Sequence, residues 1–313
     1  MNTLLLIDGN ALMHRAYHAL PPFKTKDGTP TNAVYGFISI LNKAILDFNP
    51  QNVIVSFDTP VPTFRKKMFK EYQSHRPKME DELSQQFPIV KEVLDAGHIT
   101  HLEKEGYEAD DVIGTISKKF HSNGDRVLIL SGDKDILQLA NEKVFVVTPQ
   151  LGFGKQVIYS TEEVKKRFGI EPKQIPDFKA LMGDQSDNYK GAKGIGPKTA
   201  AKLLQKYGSI EHIFKNLKII DGKTQKLLED HKESILMAYK LATILTDVEL
   251  QFDIDKTVFH GFNEDLKKIL IKYEMHSLLN RVFKQGVKKN SPIPPLSSKA
   301  KITADKQDQM GLF

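Results

Sequence analysis

Nine carboxylates stand at the ends of apolar runs and helix-like stretches, and they are the strongest chemical signal in this chain. They are Asp8, Asp58, Glu108, Asp110, Asp111, Asp133, Asp135, Asp184 and Asp187. An acid in the first turn of a helix is ordinary, because it favours the helix dipole and accepts bonds from free amides. That explanation covers one or two of them. So many like charges share a small volume only if cations neutralise them.

The ligand chemistry of these residues is that of hard divalent cations. The chain has no cysteine, which excludes disulfides, thiolate zinc sites and cysteine nucleophiles. A large set of carboxylates therefore predicts more than one Mg²⁺ or Mn²⁺ ion. Two such ions close together suit phosphodiester hydrolysis, although a phosphatase or an inert metal site would use similar ligands.

Three apolar runs must position these acids. Residues 4–7, 53–57 and 127–130 have the composition of fully buried strands, with helix-like stretches between them. This alternation predicts an α/β fold with a parallel sheet. Asp8, Asp58 and Asp133 follow the three runs, so we expect them to converge at the carboxyl ends of the strands.

The remaining elements indicate a second region and a tail. Residues 144–147 and 156–159 predict an edge hairpin around a turn at 150–154, and 160–163 predict a capped helix that stops at Gly169. Beyond about Pro172 the periodicity is helical up to about Val282, which predicts an all-helical region. From residue 284 the composition is that of a flexible tail.

Two segments have compositions suited to nucleic acid. A glycine- and lysine-rich stretch before an apolar helix predicts a helix-hairpin-helix that grips a DNA backbone, although a glycine pair there is more often a simple turn. The predicted contacts are Gly191, Lys193, Gly194, Gly196, Lys198 and Thr199. Residues 63–76 alternate basic and aromatic side chains, and Arg65, Lys66 and Lys67 are the predicted phosphate contacts there.

The basic segment has a second interpretation. Phe64, Met68 and Tyr72 have four-residue spacing, as on the core-facing side of an ordinary solvated helix. The length of the insertion, beside the predicted acidic crevice, favours substrate handling. The net charge of +6 and pI near 9.1 fit a polyanionic partner. The N-terminus lacks the basic region of a signal peptide, so we expect a soluble, cytoplasmic protein.

Five motifs in order resemble those of the bacterial 5′ nuclease family, which includes the N-terminal domain of DNA polymerase I and the flap endonucleases. They are Ile7-Asp8-Gly9, Phe57-Asp58, Tyr107-Glu108-Ala109-Asp110-Asp111-Val112-Ile113-Gly114, Gly132-Asp133-Lys134-Asp135 and Gly183-Asp184-Gln185-Ser186-Asp187-Asn188. The resemblance spans residues 4–283. It implies a PIN-like α/β catalytic domain with a helical arch (1–172), a helix-hairpin-helix domain (173–283) and a flexible C-terminal tail (284–313).

The resemblance also implies roles for the acids. Two Mg²⁺ or Mn²⁺ ions are expected, with a K⁺ ion at the helix-hairpin-helix. The first divalent ion would be held by Asp8, Asp58, Glu108, Asp110 and Asp111, and the second by Asp133, Asp135, Asp184 and Asp187. The implied activity is 5′-3′ exonuclease and flap endonuclease hydrolysis in primer removal and DNA repair, by a monomer.

One position departs from the family pattern. Where the arch of the family commonly reads Tyr-Lys-x-x-Arg, this chain has Tyr72-Gln73-Ser74-His75-Arg76, so glutamine replaces the usual catalytic lysine. Tyr72 and Arg76 remain as predicted catalytic residues, and Lys70 or Lys78 is expected to compensate at the phosphate. A catalytically weak structure-specific DNA-binding protein is the alternative, and a PIN-type ribonuclease is a second one.

The last five residues resemble a docking peptide. Gln309-Met310-Gly311-Leu312-Phe313 matches the Gln-x-x-Leu-Phe pattern by which bacterial proteins bind the replication sliding clamp. The predicted partner contacts are Gln309, Leu312 and Phe313. Five residues also match by chance, and an unstructured terminus is the alternative.

Overall fold

The computed structural model describes residues 2–149 and 156–284. The chain forms two compact units, each discontinuous in sequence. Of the described residues, the first comprises 2–61, 78–149, 156–160 and 244–284, and the second comprises Pro62–Pro77 and Thr161–Thr243. The predicted domain boundary at residue 172 splits the chain into consecutive segments, whereas each compact unit combines separate segments of the chain. The boundary stays a prediction.

A six-stranded sheet forms the centre of the first unit, in the order β3-β2-β1-β4-β5-β6. The strands are β1 (Thr3–Asp8), β2 (Asn52–Ser56), β3 (Thr100–Leu102), β4 (Arg126–Leu130), β5 (Val144–Val147) and β6 (Ile158–Tyr159). The first five run parallel, and every residue of β1 and β2 is buried. The predicted α/β fold is confirmed.

The sequence predicted one edge of the sheet and missed the other. Strand β6 pairs antiparallel with β5 at one edge, which confirms the predicted hairpin, and its turn at 150–154 lies outside the described residues. Strand β3 forms the other edge and was not predicted. Its three residues are only half-buried, so the chain carries no apolar run there.

Helices surround the sheet and build the second unit. In chain order they are α1 (Gly9–Ala19), α2 (Asn32–Phe48), α3 (Phe64–Met68), α4 (Asp81–Ser84), α5 (Gln86–Ala96), α6 (Ala109–Ser122), α7 (Thr161–Phe168), α8 (Ile175–Met182), α9 (Pro197–Tyr207), α10 (Ile210–Lys215), α11 (Gly222–Asp230), α12 (Lys232–Ala242), α13 (Glu264–Lys272) and α14 (His276–Lys284). Helix α1 packs on α2. A Cβ atom at Gly36 would lie 2.6 Å from the Cβ atom of Ala16, so glycine is needed at this crossing.

The second unit consists of α3 and α7–α12. Helix α7 stops where Gly169 adopts a φ of +72°, as predicted. Helix α8 packs against α9 and α12. The exception to the predicted helical character is a short antiparallel pair, β7 (Gly183–Asp184) with β8 (Tyr189–Lys190). Two-residue strands leave no periodic signal in a sequence.

Within the described ranges, no helix combines the length and the apolar character needed to cross a membrane.

Candidate functional site

The acids of the first unit lie where neighbouring parallel strands end. Asp8 is the last residue of β1, and Asp58 lies two residues beyond β2. Asp133 and Asp135 follow β4. Since β1 pairs with both β2 and β4, the three carboxyl ends are adjacent. The structure therefore brings together the acids that the sequence predicted to converge.

The electrostatics of Asp8 show how close these acids are. Its side chain is 5% exposed, and burial raises the pKa of Asp8 to about 7, with further raising by the charges of Asp58 and Asp133. Hydrogen bonds from the Ala11 amide and the Ser131 hydroxyl oppose that rise. Asp8 also accepts the Ala11 N–H at 2.9 Å as the N-cap of α1.

Asp110 lies in the same field of negative charge. Burial raises the pKa of Asp110 well above its ordinary value, and the charges of Asp133, Asp8, Glu108 and Asp58 raise it further. Like charges this close favour either protonation or a bound cation. Together these oxygen ligands fit a hard divalent ion.

Helix α6 is fixed at its N-terminus by carboxylates. Glu108 is the N-cap and forms a reciprocal capping box with Asp111. Asp58 accepts the Ala109 N–H at 2.7 Å. Asp111 is fully buried and accepts the N–H of Glu108 at 3.1 Å and the N–H of Leu245 at 2.9 Å, one on each oxygen. Asp111 therefore holds α6 in place so that Glu108 and Asp110 are presented.

Ser131 connects two of the acids and was not identified from the sequence. Its hydroxyl donates to Asp8 Oδ2 at 2.8 Å and accepts the Asp133 N–H at 3.0 Å. Asp133 Oδ1 in turn accepts the Asp135 N–H at 2.8 Å. A serine directly after a buried strand and two residues before an aspartate is the signal that was available.

In the second unit, Asp184 forms a buried ion pair with Lys179. Lys179 Nζ lies 2.5 Å from Asp184 Oδ2, and both side chains are at most 3% exposed. Asp184 Oδ1 accepts the amide and the hydroxyl of Ser186, each at 2.7 Å. Burial acts to raise the pKa of Asp184, but the Lys179 charge and these hydrogen bonds outweigh it and lower the pKa.

Lys179 was missed by the sequence analysis. It is one of two charged residues, with Asp177, in the otherwise apolar α8, and it is 3% exposed. A buried lysine requires a charged partner, so a lysine on the apolar face of a helix five residues before an aspartate was the available signal.

The predicted catalytic residues of the basic segment have different surroundings. Tyr72 and Arg76 both donate to the carboxylate of Asp187. Lys70 is exposed. Lys78, also exposed, belongs to the first unit and lies 3.5 Å from Asp81.

The predicted phosphate contacts of the glycine hairpin are exposed with one exception. Gly194 has a φ of +102°, and Gly196 is the N-cap of α9. The exposed residues are Lys193, Gly194, Gly196, Lys198 and Thr199. Gly191 is buried instead, and a Cβ atom there would lie 2.4 Å from the amide nitrogen of Gly183. The close approach that Gly191 permits is thus within the protein, and its predicted DNA contact was wrong.

Arg65 is a second correction. Its side chain is 1% exposed, and its guanidinium donates to the carbonyls of Leu241 and Thr243, each at 2.8 Å. A phosphate contact from Arg65 was therefore a wrong prediction.

The other residues of the basic segment differ in exposure. Lys67 is exposed, while Lys66 Nζ donates to the Tyr72 carbonyl at 2.7 Å. Met68 ends α3 and is exposed, so the four-residue apolar stripe does not continue as one helix.

Comparison with protein families gives two matches that cover most of the chain. Residues 3–169 match the family model described as 5′-3′ exonuclease, N-terminal resolvase-like domain. Residues 170–265 match the model described as 5′-3′ exonuclease, C-terminal SAM fold.

Relatives and solved structures agree with this match. The chain is 41% identical over 285 residues to a 5′-3′ exonuclease of Aquifex aeolicus, covering 91% of this chain and 96% of that protein. It is 43% identical over 281 residues to DNA polymerase I of Bacillus subtilis, covering 89% of this chain but only 32% of that protein. The chain therefore spans about a third of the length of that polymerase.

A crystal structure shows the same fold. The D15 flap endonuclease of bacteriophage T5, solved as a pseudo-enzyme-product complex with DNA and metal ions, superposes with a TM-score of 0.63 at 21% identity. The match covers 90% of this chain and 97% of that one.

Divalent metal should stabilise the protein through the acids of the first unit. A ligand that binds only the folded state stabilises it by about 3 kcal/mol at a hundredfold excess over Kd, so we expect Mg²⁺ or Mn²⁺ to raise Tm by about 4 °C or more. Since the pKa of Asp8 is about 7, its carboxyl is mostly protonated at pH 6 and ionised at pH 8. Cations need the ionised form, so the rise in Tm should be larger at pH 8.

Thermal unfolding of two variants provides the check. Asp110→Ala should abolish most of the rise in Tm, whereas Asp47→Ala, which removes an exposed carboxylate paired with Lys43, should retain it. An equal rise in both variants would contradict a metal site at these acids.

Proposed function

Because the chain belongs to the 5′-3′ exonuclease family, we propose that it hydrolyses phosphodiester bonds of DNA near a free 5′ end. The observation that carries the proposal is the group of acids at the ends of β1, β2 and β4, in which burial and mutual repulsion raise the pKa values of Asp8 and Asp110. The relatives named exonuclease and flap endonuclease support both kinds of cut. Roles in primer removal and repair, beside the bacterial chromosome in the cytoplasm, are part of the proposal.

Divalent metal fits the residues of the first unit. Oxygen ligands, burial and the mutual repulsion of the acids favour Mg²⁺ or Mn²⁺. The residues that would hold metal there are Asp8, Asp58, Glu108, Asp110, Asp133 and Asp135. When bound, two such ions activate water and stabilise the leaving oxygen of a phosphodiester. Asp184 and Asp187 stay predicted ligands, and the number of ions stays a prediction.

The protein's own residues supply orientation. One oxygen of Asp111 accepts the Leu245 N–H and the other accepts the Glu108 N–H at the start of α6, so we assign Asp111 positioning rather than ligation. Ser131 fixes the carboxylate of Asp8 and the backbone at Asp133. Acids held by such bonds need little reorganisation when substrate arrives.

The glycine hairpin is the proposed grip on duplex DNA. Lys193, Lys198 and Thr199 are exposed, and Gly194 and Gly196 leave the backbone accessible. Backbone amides at a helix N-terminus and lysines bind phosphates without reading sequence. A K⁺ ion at this hairpin stays a prediction from the resemblance, as does a monomeric state.

Metal-dependent cleavage is the direct test. A 5′-labelled flapped duplex and a blunt duplex should release short 5′ products with Mg²⁺ and none with EDTA. Asp133→Ala and Asp184→Ala should each lower turnover on the order of a hundredfold or more. Asp47→Ala and Asp230→Ala, at exposed acids in the first and second units, serve as matched controls.

The alternatives give different results in the same assay. Tight DNA binding without cleavage would favour a structure-specific binding protein, as Gln73 in place of the family lysine suggests. Cleavage of RNA in preference to DNA would favour a ribonuclease.

Cations of the basic segment are the subject of a second test. Lys70→Ala, Arg76→Ala and Lys78→Ala are compared for turnover on the preferred substrate, and we expect a loss on the order of tenfold or more at one of them. Lys70 and Lys78 are exposed, so each can reach a phosphate. Lys78 would only have to give up its 3.5 Å contact with Asp81. Unchanged turnover in all three would mean that no cation here replaces the family lysine.

We further propose that the tail binds the sliding clamp through Gln309, Leu312 and Phe313, which lie outside the described residues. Deleting residues 309–313 should abolish binding to the clamp in a pull-down while cleavage of naked DNA is unchanged. Clamp binding by the shortened chain would remove this partner.

A further inference from the structure

The stretch at residues 71–76 is fastened to the turn at 187–188 within the second unit. The Gln73 N–H donates to the Asp187 carbonyl at 2.9 Å. The Asn188 side-chain amide donates to the Glu71 carbonyl at 2.9 Å and to the Ser74 hydroxyl at 2.8 Å. These bonds join residues more than 110 positions apart in the sequence.

The carboxylate of Asp187 is the centre of this contact. Its Oδ1 accepts Arg76 Nη2 at 2.6 Å and Gln73 Nε2 at 3.2 Å, and its Oδ2 accepts the Tyr72 hydroxyl at 3.3 Å. Asp187 is 6% exposed and Tyr72 is 3% exposed. A buried carboxylate needs such donors, because an unpaired one is costly to desolvate.

The backbone on both sides of the contact is in an uncommon conformation. Gln73 has a φ of +54° and Asn188 has a φ of +56°. Residues with a Cβ atom rarely adopt this left-handed region, and they keep it only where surrounding contacts determine it. The bonds between the two segments thus act against local backbone preference.

The residue type at position 73 matters to this arrangement. Arg76 already supplies a cation to Asp187 Oδ1. A glutamine amide adds a donor to the same oxygen without adding a second charge, whereas a lysine would place two cations at one oxygen. Glutamine in place of the family lysine therefore suits the contact of residue 73 with Asp187, where Arg76 already supplies the positive charge.

We infer that Gln73 is a positioning residue that, with Tyr72 and Arg76, anchors residues 71–76 to Asp187. Gln73 acts through Asp187, which accepts its side-chain and backbone N–H groups. The anchor orders the segment before any DNA is bound, and Arg76 is held by it in a defined place.

The anchor is tested by exchanging the donor, the Gln73 amide, and the acceptor, the Asp187 carboxylate, between the two positions. The protein is exposed to a protease of broad specificity without DNA and with EDTA, and cleavage within residues 69–76 is mapped by mass spectrometry. Gln73→Glu sets a carboxylate against Asp187, and Asp187→Asn removes the acceptor charge. Each should speed this cleavage on the order of tenfold, because cleavage follows the population of the opened segment.

The double change Gln73→Glu with Asp187→Asn should return cleavage to near the original rate, because the glutamate can accept from the asparagine amide. Gln185→Glu is the matched control, since it makes the same change at an exposed side chain of the same turn, and it should leave the rate unchanged. Circular dichroism checks that each variant folds. Gln73→Ala, which adds no charge, replaces Gln73→Glu if that variant does not fold, and it should speed cleavage severalfold.

Two outcomes would overturn the inference. One is cleavage at the original rate in both folded Gln73 variants. The other is faster cleavage in both single variants with no recovery in the double variant, since the effect would then not pass through the Gln73–Asp187 contact. Neither outcome depends on hydrolysis of DNA, so the proposed nuclease function is tested separately.

Discussion

Concentrating carboxylates in a small buried volume is the constraint on which the site depends. The charges of Asp58 and Asp133 both raise the pKa of Asp8, in addition to the effect of its burial. The fold offsets this repulsion with backbone amides and a hydroxyl, as Ala11 and Ser131 show. These bonds fix the carboxylates in position, and the mutual repulsion of the acids favours a bound cation.

The position of α6 follows from the same constraint. Its first turn carries Asp110 and Asp111, and Asp111 is tied to the amide of Leu245. A Cβ atom at Gly114 would lie 2.7 Å from the carbonyl oxygen of Leu245, so only glycine lets that segment approach the helix. A residue far along the chain therefore sets the orientation of acids that precede it by more than 100 residues.

In the second unit, Asp184 and Asp187 each have a cation as partner. Lys179 neutralises Asp184 inside the unit, and Asp187 receives three side-chain donors. The same kind of side chain thus serves two purposes. Acids at the strand ends repel one another and so suit metal binding, whereas Asp184 and Asp187 accept donors that hold segments of the helical unit together.

The amino-acid sequence alone determined the α/β class, because short apolar runs rich in Leu, Ile and Val that alternate with helix-like stretches are typical of strands covered on both faces. It also placed acids at the ends of these runs. It also predicted the β5–β6 hairpin and the stop of α7 at Gly169. Only the tertiary structure decided how single side chains are used. Arg65 was predicted to lie at the surface and Lys179 was not singled out. Both are buried, because their partners, Leu241 and Thr243 in one case and Asp184 in the other, are supplied by the folded chain. The grouping of residues 62–77 with 161–243 also depends on such long-range contacts, and these leave no local pattern.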